Sequence, residues 1–378
     1  MSKTPSPTPK PDPLAKSRTA PESAVDFERR RGRGACSNHS GRFEREQRLS
    51  TDDGWDSLAG LDAFRTEVYA EPARSIITRN KSPDISFDQS INPYRGCEHG
   101  CVYCYARPTH CYLGHSAGLD FETKLYAKTN AAEVLEKELA QRGYVPKVIA
   151  LGTNTDPYQP IEREQRITRA ILEVLERTGH PVGIVTKSAL VLRDVDILSR
   201  MAARGLAKVA ISVTTLDRRI ARAMEPRAVT PGKRLEAIRG LSEAGIPVAV
   251  MVAPIVPGLT DSEIERILAA ARDAGATEAG YVLLRLPLEL KDIFREWLAS
   301  EFPDRAGRVI NLLRSMHGGK DYVAAFGERQ KGRGPYAEQI ALRFRLALTR
   351  LGLNQRRQSL RRDLFTPPVA RGAQMPLL

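Results

Sequence analysis

The sequence predicts an α/β protein built on a parallel sheet, and three observations carry the prediction. From Ser90 to about Leu288, short strand-like apolar runs alternate with amphipathic helical patterns. Each helical stretch closes on a glycine suited to the residue just past a helix end. The 378 residues leave room for one large α/β domain of roughly 200–250 residues with extensions.

The chain divides into an arm (1–55), a core (56–288) and a C-terminal extension (289–378). Residues 1 to about 50 mix Pro, Ser, Thr and Arg without apolar periodicity, so disorder is expected there, because too little surface can be buried to offset the entropy of ordering. The run "ERRRGRG", Glu28 to Gly34, is expected to be a solvated charge run, although its charge also suits a nucleic acid.

Six strands are predicted in the core: "SINPY" (90–94), "KVIALGT" (147–153), "PVGIVTK" (181–187), "AKVAISVTT" (207–215), "PVAVMVAP" (247–254) and "AGYVLLRL" (279–286). Between them run "AAEVLEKELAQRG", "EQRITRAILEVLERTG", "VLRDVDILSRMAARG", "PGKRLEAIRGLSEAG" and "SEIERILAAARDAG". Five helical crossovers imply parallel strands. Six strands are too few to close an eight-stranded barrel, which leaves an open barrel segment or a doubly wound sheet. Beyond Leu288, "ELKDIFREWLASEF", "RAGRVINLLRSMH" and a stretch after the Gly-rich "GERQKGRGPYAEQ" predict a helical extension.

Composition narrows the class. Five cysteines fit no even-numbered disulfide framework and the first residues lack an apolar leader, so a cytoplasmic, reduced protein is expected. The longest apolar stretch, "GIPVAVMVAPIVPGL", is too short and too rich in Pro and Gly to cross a bilayer, and no membrane partner is expected. The net charge is +13, and from Arg305 onward fifteen Lys and Arg face four acids, Asp321, Glu328, Glu338 and Asp363. That balance suits a polyanionic partner as well as a solvated surface.

Three cysteines stand within eight positions of "INPYRGCEHGCVYCY": Cys97, Cys101 and Cys104. Zinc sites commonly close on a fourth Cys or His, whereas a [4Fe–4S] cube takes one ligand per iron, so three thiolates leave one iron open for chemistry. A zinc knuckle completed by His99, His110, Cys111 or His115 is the competing reading, and it makes the chain a nucleic-acid-binding protein with a structural zinc or iron–sulfur site. Cys36 and Cys111 are expected to be bystanders.

The C-x3-C-x2-C loop, with Tyr103 before its last cysteine and a six-fold βα array behind it, resembles the radical S-adenosylmethionine superfamily. The polar strand ends "GTNTDPYQP", "VTKS", "ISVTT" and "APIVPG", together with "MEPR", resemble its spore photoproduct lyase-related branch over roughly residues 85–290. The resemblance implies a partial (βα)6 barrel, a [4Fe–4S] cluster on the three cysteines and S-adenosylmethionine on the open iron. It further implies one-electron cleavage of the sulfonium, hydrogen-atom abstraction from a substrate, and an electron donor such as a flavodoxin or ferredoxin. The implied cofactor contacts are Tyr103 near the adenine, Thr153 and Asn154 near the methionine end, Lys187 and Ser212 around ribose and carboxylate, and Ala253 at the adenine through its backbone.

Other residues are read from their chemistry. Asp156, before Pro157, reads as a turn former with a ribose or substrate contact as the alternative. Glu225 and Arg227 are expected to pair across the barrel mouth. Spore photoproduct lyase returns hydrogen from a cysteine near the end of its second strand, where "VIALGTNTDP" has no thiol, so thymine-dimer repair is not carried over. Residues 289–345 are expected to close the barrel's open side. Their Arg308, Arg314, Lys320, Arg329, Lys331 and Arg333 favour a nucleic-acid or phosphorylated substrate, and His317 is read as a helix-end residue or a substrate-side acid or base.

Overall fold

In a computed structural model, residues 25–44 and 62–368 are described. The chain opens with β1 (Glu67–Ala70), β2 (Thr78–Arg79), β3 (Gln89–Ile91) and β4 (Tyr94–Arg95), followed by α1 (Asp120–Thr123), β5 (Lys124–Ala127) and α2 (Ala131–Leu139). The βα array continues through β6 (Ile149–Leu151), α3 (Glu162–Gln165), α4 (Ile167–Arg177), β7 (Val182–Thr186), α5 (Val195–Ala203) and β8 (Ala207–Ser212). It ends with α6 (Arg218–Met224), α7 (Pro231–Glu243), β9 (Val248–Ile255), α8 (Ile264–Asp273) and β10 (Glu278–Leu283).

All six predicted strands form, as β3, β6, β7, β8, β9 and β10, and they stand parallel in strictly sequential order. That order decides between the two architectures left open by the sequence. A doubly wound sheet reverses direction at a switch point, whereas this sheet advances one strand at a time, as a partial barrel does. A single register row, Ile91–Leu151–Ile184–Val209–Val248, crosses five strands with every member buried. Helices cover the outside, which is why the strands read as near-continuous apolar runs.

Four crossover helices, α4, α5, α7 and α8, end alike. The second residue past each helix cap returns its amide to the last turn: His180 to Leu175 (2.8 Å), Leu206 to Met201 (2.9 Å), Ile246 to Leu241 (3.0 Å) and Ala276 to Ala271 (2.9 Å). This is the Schellman closure announced by the terminal glycines, and each one delivers the chain to the next strand.

A second sheet, β1-β5-β4, and the antiparallel edge strand β2 escape the sequence pattern because each is four residues or fewer. The small sheet frames the cysteine loop, with β4 leading into it and β5 leaving the turn behind it.

The expectation of disorder does not hold for residues 25–44. Gly34 and Ala35 donate their amides to the Glu122 carboxylate at 2.9 Å each, and Arg33 donates to the Glu122 carbonyl at 3.1 Å. Ala35, Cys36 and Ser37 are buried. A buried carboxylate organises this segment, so apolar periodicity gave no sign of it. The remainder of the arm, 1–24 and 45–61, lies outside the described residues.

The C-terminal extension is helical, with α9 (Leu290–Glu301), α10 (Pro303–Ser315) and α11 (Pro335–Leu351). The connection from α10 to α11 bridges the open side of the barrel. Leu283, at the end of β10, donates to Gln330 O (2.8 Å), while Asp84, ahead of β3, accepts from Gly327 N (2.7 Å) and Arg329 Nε (2.5 Å). Both ends of the parallel array are thus joined through one strap. Among the described residues no helix is long and apolar enough to cross a membrane.

Candidate active site

The site is organised around the loop that carries the three cysteines. Gly96 and Gly100 hold it in shape: both have positive φ (+73° and +68°), and a Cβ on Gly100 would stand 2.7 Å from Glu122 Oε2. Cys97 N donates to Phe121 O (2.9 Å) and Val102 N to Met224 O (3.0 Å), which pins the loop to α1 and to α6.

Beneath the loop lies a fully buried ion pair that motif reading missed. Arg107 donates to the carbonyls of Cys101 (2.9 Å), Gly100 (3.1 Å), Gly118 (2.9 Å) and Ala117 (3.2 Å), and pairs with Glu122 at 2.5 Å. Glu122 also takes the two amides from the 25–44 segment. One guanidinium and one carboxylate therefore join three separate stretches of chain, each partner offsetting the desolvation of the other.

All five cysteines are free thiols. Cys97 and Cys101 are buried and Cys104 is half-buried. Burial, reinforced by Asp156 and the neighbouring thiols, pushes the Cys97 thiol well above its usual range, and burial with Glu225 and Cys104 pushes Cys101 up to about 12. Among the described residues no three His, Cys, Asp or Glu side chains converge on the position of a single metal ion. A cubane binds its ligands on separate irons and does not require that convergence.

The other predicted residues collect at the C-terminal ends of the strands. Thr153 and Asn154 follow β6, where the Asn92 carboxamide accepts from Asn154 N at 2.9 Å. Lys187 directly follows β7, Ser212 ends β8, and Ala253 lies near the end of β9. The Lys187 ammonium has no hydrogen bond or ion pair among the described residues. Burial would depress it, but Cys101, Glu225 and Asp156 outweigh burial and hold it above its usual range.

Asp156 is a turn residue and more. Its Oδ1 accepts from Tyr158 N (2.9 Å) and Thr186 Oγ1 (2.6 Å), and its Oδ2 accepts from Lys187 N (3.0 Å). Burial raises its pKa, yet His99, Lys187 and Thr186 overcome burial and keep it ionised. Asp156 ties the end of β6 to the end of β7 and so fixes the Lys187 backbone.

Glu225 and Arg227 do not pair with each other. Glu225 accepts from the Tyr103 hydroxyl and pairs with Arg234, whose guanidinium also donates to Ser212 O at 3.2 Å. Arg227 instead pairs with Glu98 at 2.7 Å. The two side chains are separated because Glu225 is needed inside, where Arg234 from α7 supplies a buried counter-charge. Glu225 therefore positions Tyr103, Ser212 and the cysteine loop together.

One residue near the strand ends went unread. The ladder of β8 continues through Val213 N to Met251 O (2.9 Å), so Thr214 shares the face of Ser212 by the two-residue period. Its hydroxyl is buried and without a hydrogen-bond partner among the described residues. "SVTT" offered the signal, and only the strand register separates Thr214 from Thr215, which bonds Glu263 at 2.5 Å.

The alternative ligands go elsewhere. His110 packs against His115, Phe121 and Tyr126, and burial, with His115 beside it, lowers its pKa to about 4. Cys111 fills a small apolar cluster with Ala35, Ala117, Leu119 and Ile293. His99 Nδ1 stands 3.4 Å from Asp156. His317 is buried past the end of α10, its Nδ1 3.0 Å from Leu313 O, a helix-end contact. Three of the six extension cations are already paired: Arg314 with Asp321, Arg329 with Asp84 and Arg333 with Glu328.

Comparison with known proteins is consistent with this geometry. Residues 91–271 match the radical SAM superfamily. An uncharacterised protein of Mycobacterium tuberculosis is 38% identical over 240 residues, covering 62% of this chain and 71% of the relative. An uncharacterised protein of Methanocaldococcus jannaschii is 27% identical over 199 residues, covering 53% and 71%. Among solved structures, spore photoproduct lyase with bound S-adenosylmethionine and dinucleoside spore photoproduct superposes with a TM-score of 0.53. It is 17% identical, and the match covers 76% of this chain and 80% of the lyase, a likeness of fold.

Proposed function

The chain belongs to the radical S-adenosylmethionine superfamily, and on that premise we propose that it cleaves S-adenosylmethionine reductively and takes a hydrogen atom from an anionic substrate. It is an enzyme, and its cofactors are a [4Fe–4S] cluster and S-adenosylmethionine. When bound, they supply one-electron cleavage of the sulfonium and the hydrogen abstraction that follows. A low-potential electron donor such as a flavodoxin or ferredoxin is the partner this reading requires.

The residues present fit both groups. Cys97, Cys101 and Cys104 are free thiols on a loop fixed by Arg107, and they would hold three corners of the cluster. Lys187 and the orphaned Thr214 hydroxyl are polar groups awaiting partners at adjacent strand ends, suited to a carboxylate and a ribose. Ser212 stands between them, and Tyr103, held by Glu225, would flank the adenine with the Ala253 backbone. Thr153 and Asn154 would line the methionine end.

The substrate reading is narrower than that of the lyase. The end of β6 carries Gly152, Thr153 and Asn154 rather than a thiol, so this chain lacks a hydrogen donor there, and dimer repair by that route is not proposed. The observation that carries the reading is the three-thiol loop at the mouth of a sequential parallel array, with a half-buried lysine, unpaired among the described residues, beside it. The test is release of 5′-deoxyadenosine from S-adenosylmethionine by the anaerobically reconstituted, dithionite-reduced enzyme, with Cys104→Ser as control. Release by the native chain and its loss in the variant is expected; no release from the native chain would refute the proposal.

A further inference from the structure

Arg285 stands two residues past the end of β10, at the barrel mouth. Its guanidinium carbon lies 4.2 Å from the centroid of the Tyr105 ring, and it makes no hydrogen bond or ion pair among the described residues. Several other mouth and strap cations are neutralised: Arg227 by Glu98, Arg329 by Asp84, Arg333 by Glu328. Tyr105 directly follows Cys104, and its hydroxyl donates to Thr153 O at the end of β6. The ring is thus a fixed platform joining the cysteine loop to a strand end, and it remains 43% exposed.

A guanidinium lying on an aromatic face keeps its N–H edge in the plane, free for a planar or tetrahedral oxyanion. Two donors directed at one group favour a bidentate contact with an oxyanion such as a carboxylate or a phosphate. We propose that Arg285, supported by the Tyr105 ring, binds a phosphate group of the substrate, carried by a nucleic-acid phosphodiester or by a phosphorylated metabolite. The proposal rests on the radical-enzyme reading and names the substrate's anchor. Position gives it function: a phosphate held there places the adjoining carbons over the cysteine loop, where hydrogen abstraction would take place.

The experiment is calorimetric titration of the reconstituted enzyme, with S-adenosylmethionine present, using thymidylyl-thymidine as the phosphodiester probe and inorganic phosphate as the monoester-like probe. The native enzyme should bind at least one, and the preferred probe identifies the source of the phosphate. Arg285→Gln should weaken that binding at least tenfold, and Arg285→Lys, which keeps the charge and loses the fork, should fall between. Tyr105→Leu, which removes the platform, should also weaken it and stands in should Arg285→Gln fail to fold by circular dichroism. Binding of neither probe by the native enzyme, or binding unchanged in the variants, would overturn the proposal. Native 5′-deoxyadenosine release is measured in parallel: its absence refutes the radical reading, whereas its presence with unaltered probe binding refutes the phosphate site alone.

Discussion

Arg107 shows how much of the site depends on residues that carry no chemistry. Its five donors are all used, four on loop carbonyls and one on Glu122, and both partners are fully buried. Arg107→Lys cannot reproduce a planar fork. It would leave carbonyls of Gly100, Ala117 and Gly118 and part of the Glu122 carboxylate unsatisfied. Breaking a buried pair costs about 3–5 kcal/mol, so urea unfolding of Arg107→Lys should show a loss of that order together with poorer iron retention. A loss under about 1 kcal/mol would contradict the role given to the pair. The cysteines were legible from spacing alone, because chemistry fixes their separation. Arg107, Glu122 and Arg234 were not, since a buried charged residue looks like a surface one until its partner from a distant segment is known.

At the scale of elements, the repeated helix closure explains both a regularity and an exception. In three of the four closures the residue past the glycine is apolar, Leu206, Ile246 or Ala276, and is buried. The fourth is His180, equally buried, with Phe365 packed on its ring and the Tyr144 hydroxyl 2.8 Å from Nε2. Burial lowers its pKa to about 4. The unfolded chain binds this proton near pH 6.5 and the folded chain only near 4, so stability is full above about 6.5 and declines as pH falls towards 4. The loss from one such histidine is at most about 3 kcal/mol. His180→Leu should restore the apolar residue of the other closures and flatten the acid limb of a stability-against-pH curve between 6.5 and 4, leaving the contribution of His110. An unchanged acid limb would show that His180 is protonated at little cost in the fold. The six strands and their crossovers were readable because period and glycine placement are local signals. The β1-β5-β4 sheet and the folded 25–44 segment were not, since their order comes from contacts made elsewhere in the chain.

For the whole molecule, the basic C-terminal region divides into two uses. Several of its cations serve the fold: Arg343 pairs with Glu265 (2.6 Å), Arg361 with Asp363 (2.6 Å), and Arg329 clasps Asp84 across the barrel opening. Net charge therefore overstated the surface available to a polyanion, while Arg285, a cation at the mouth without an ion pair among the described residues, lies outside the region where basic residues are densest. The strap joins the ends of an array that six strands cannot close alone, and by limiting water it protects whatever chemistry the cysteine loop supports. The central claim is that the three thiols of that loop hold a catalytic iron–sulfur cluster rather than a structural ion. The most direct measurement is metal and sulfide analysis of the anaerobically reconstituted chain beside its Cys97→Ser, Cys101→Ser and Cys104→Ser variants. The account predicts a brown protein with about four irons and four sulfides per chain, lost in each variant while the barrel's circular dichroism persists. A colourless protein holding one zinc, and unfolding when any of the three cysteines is replaced, would contradict it.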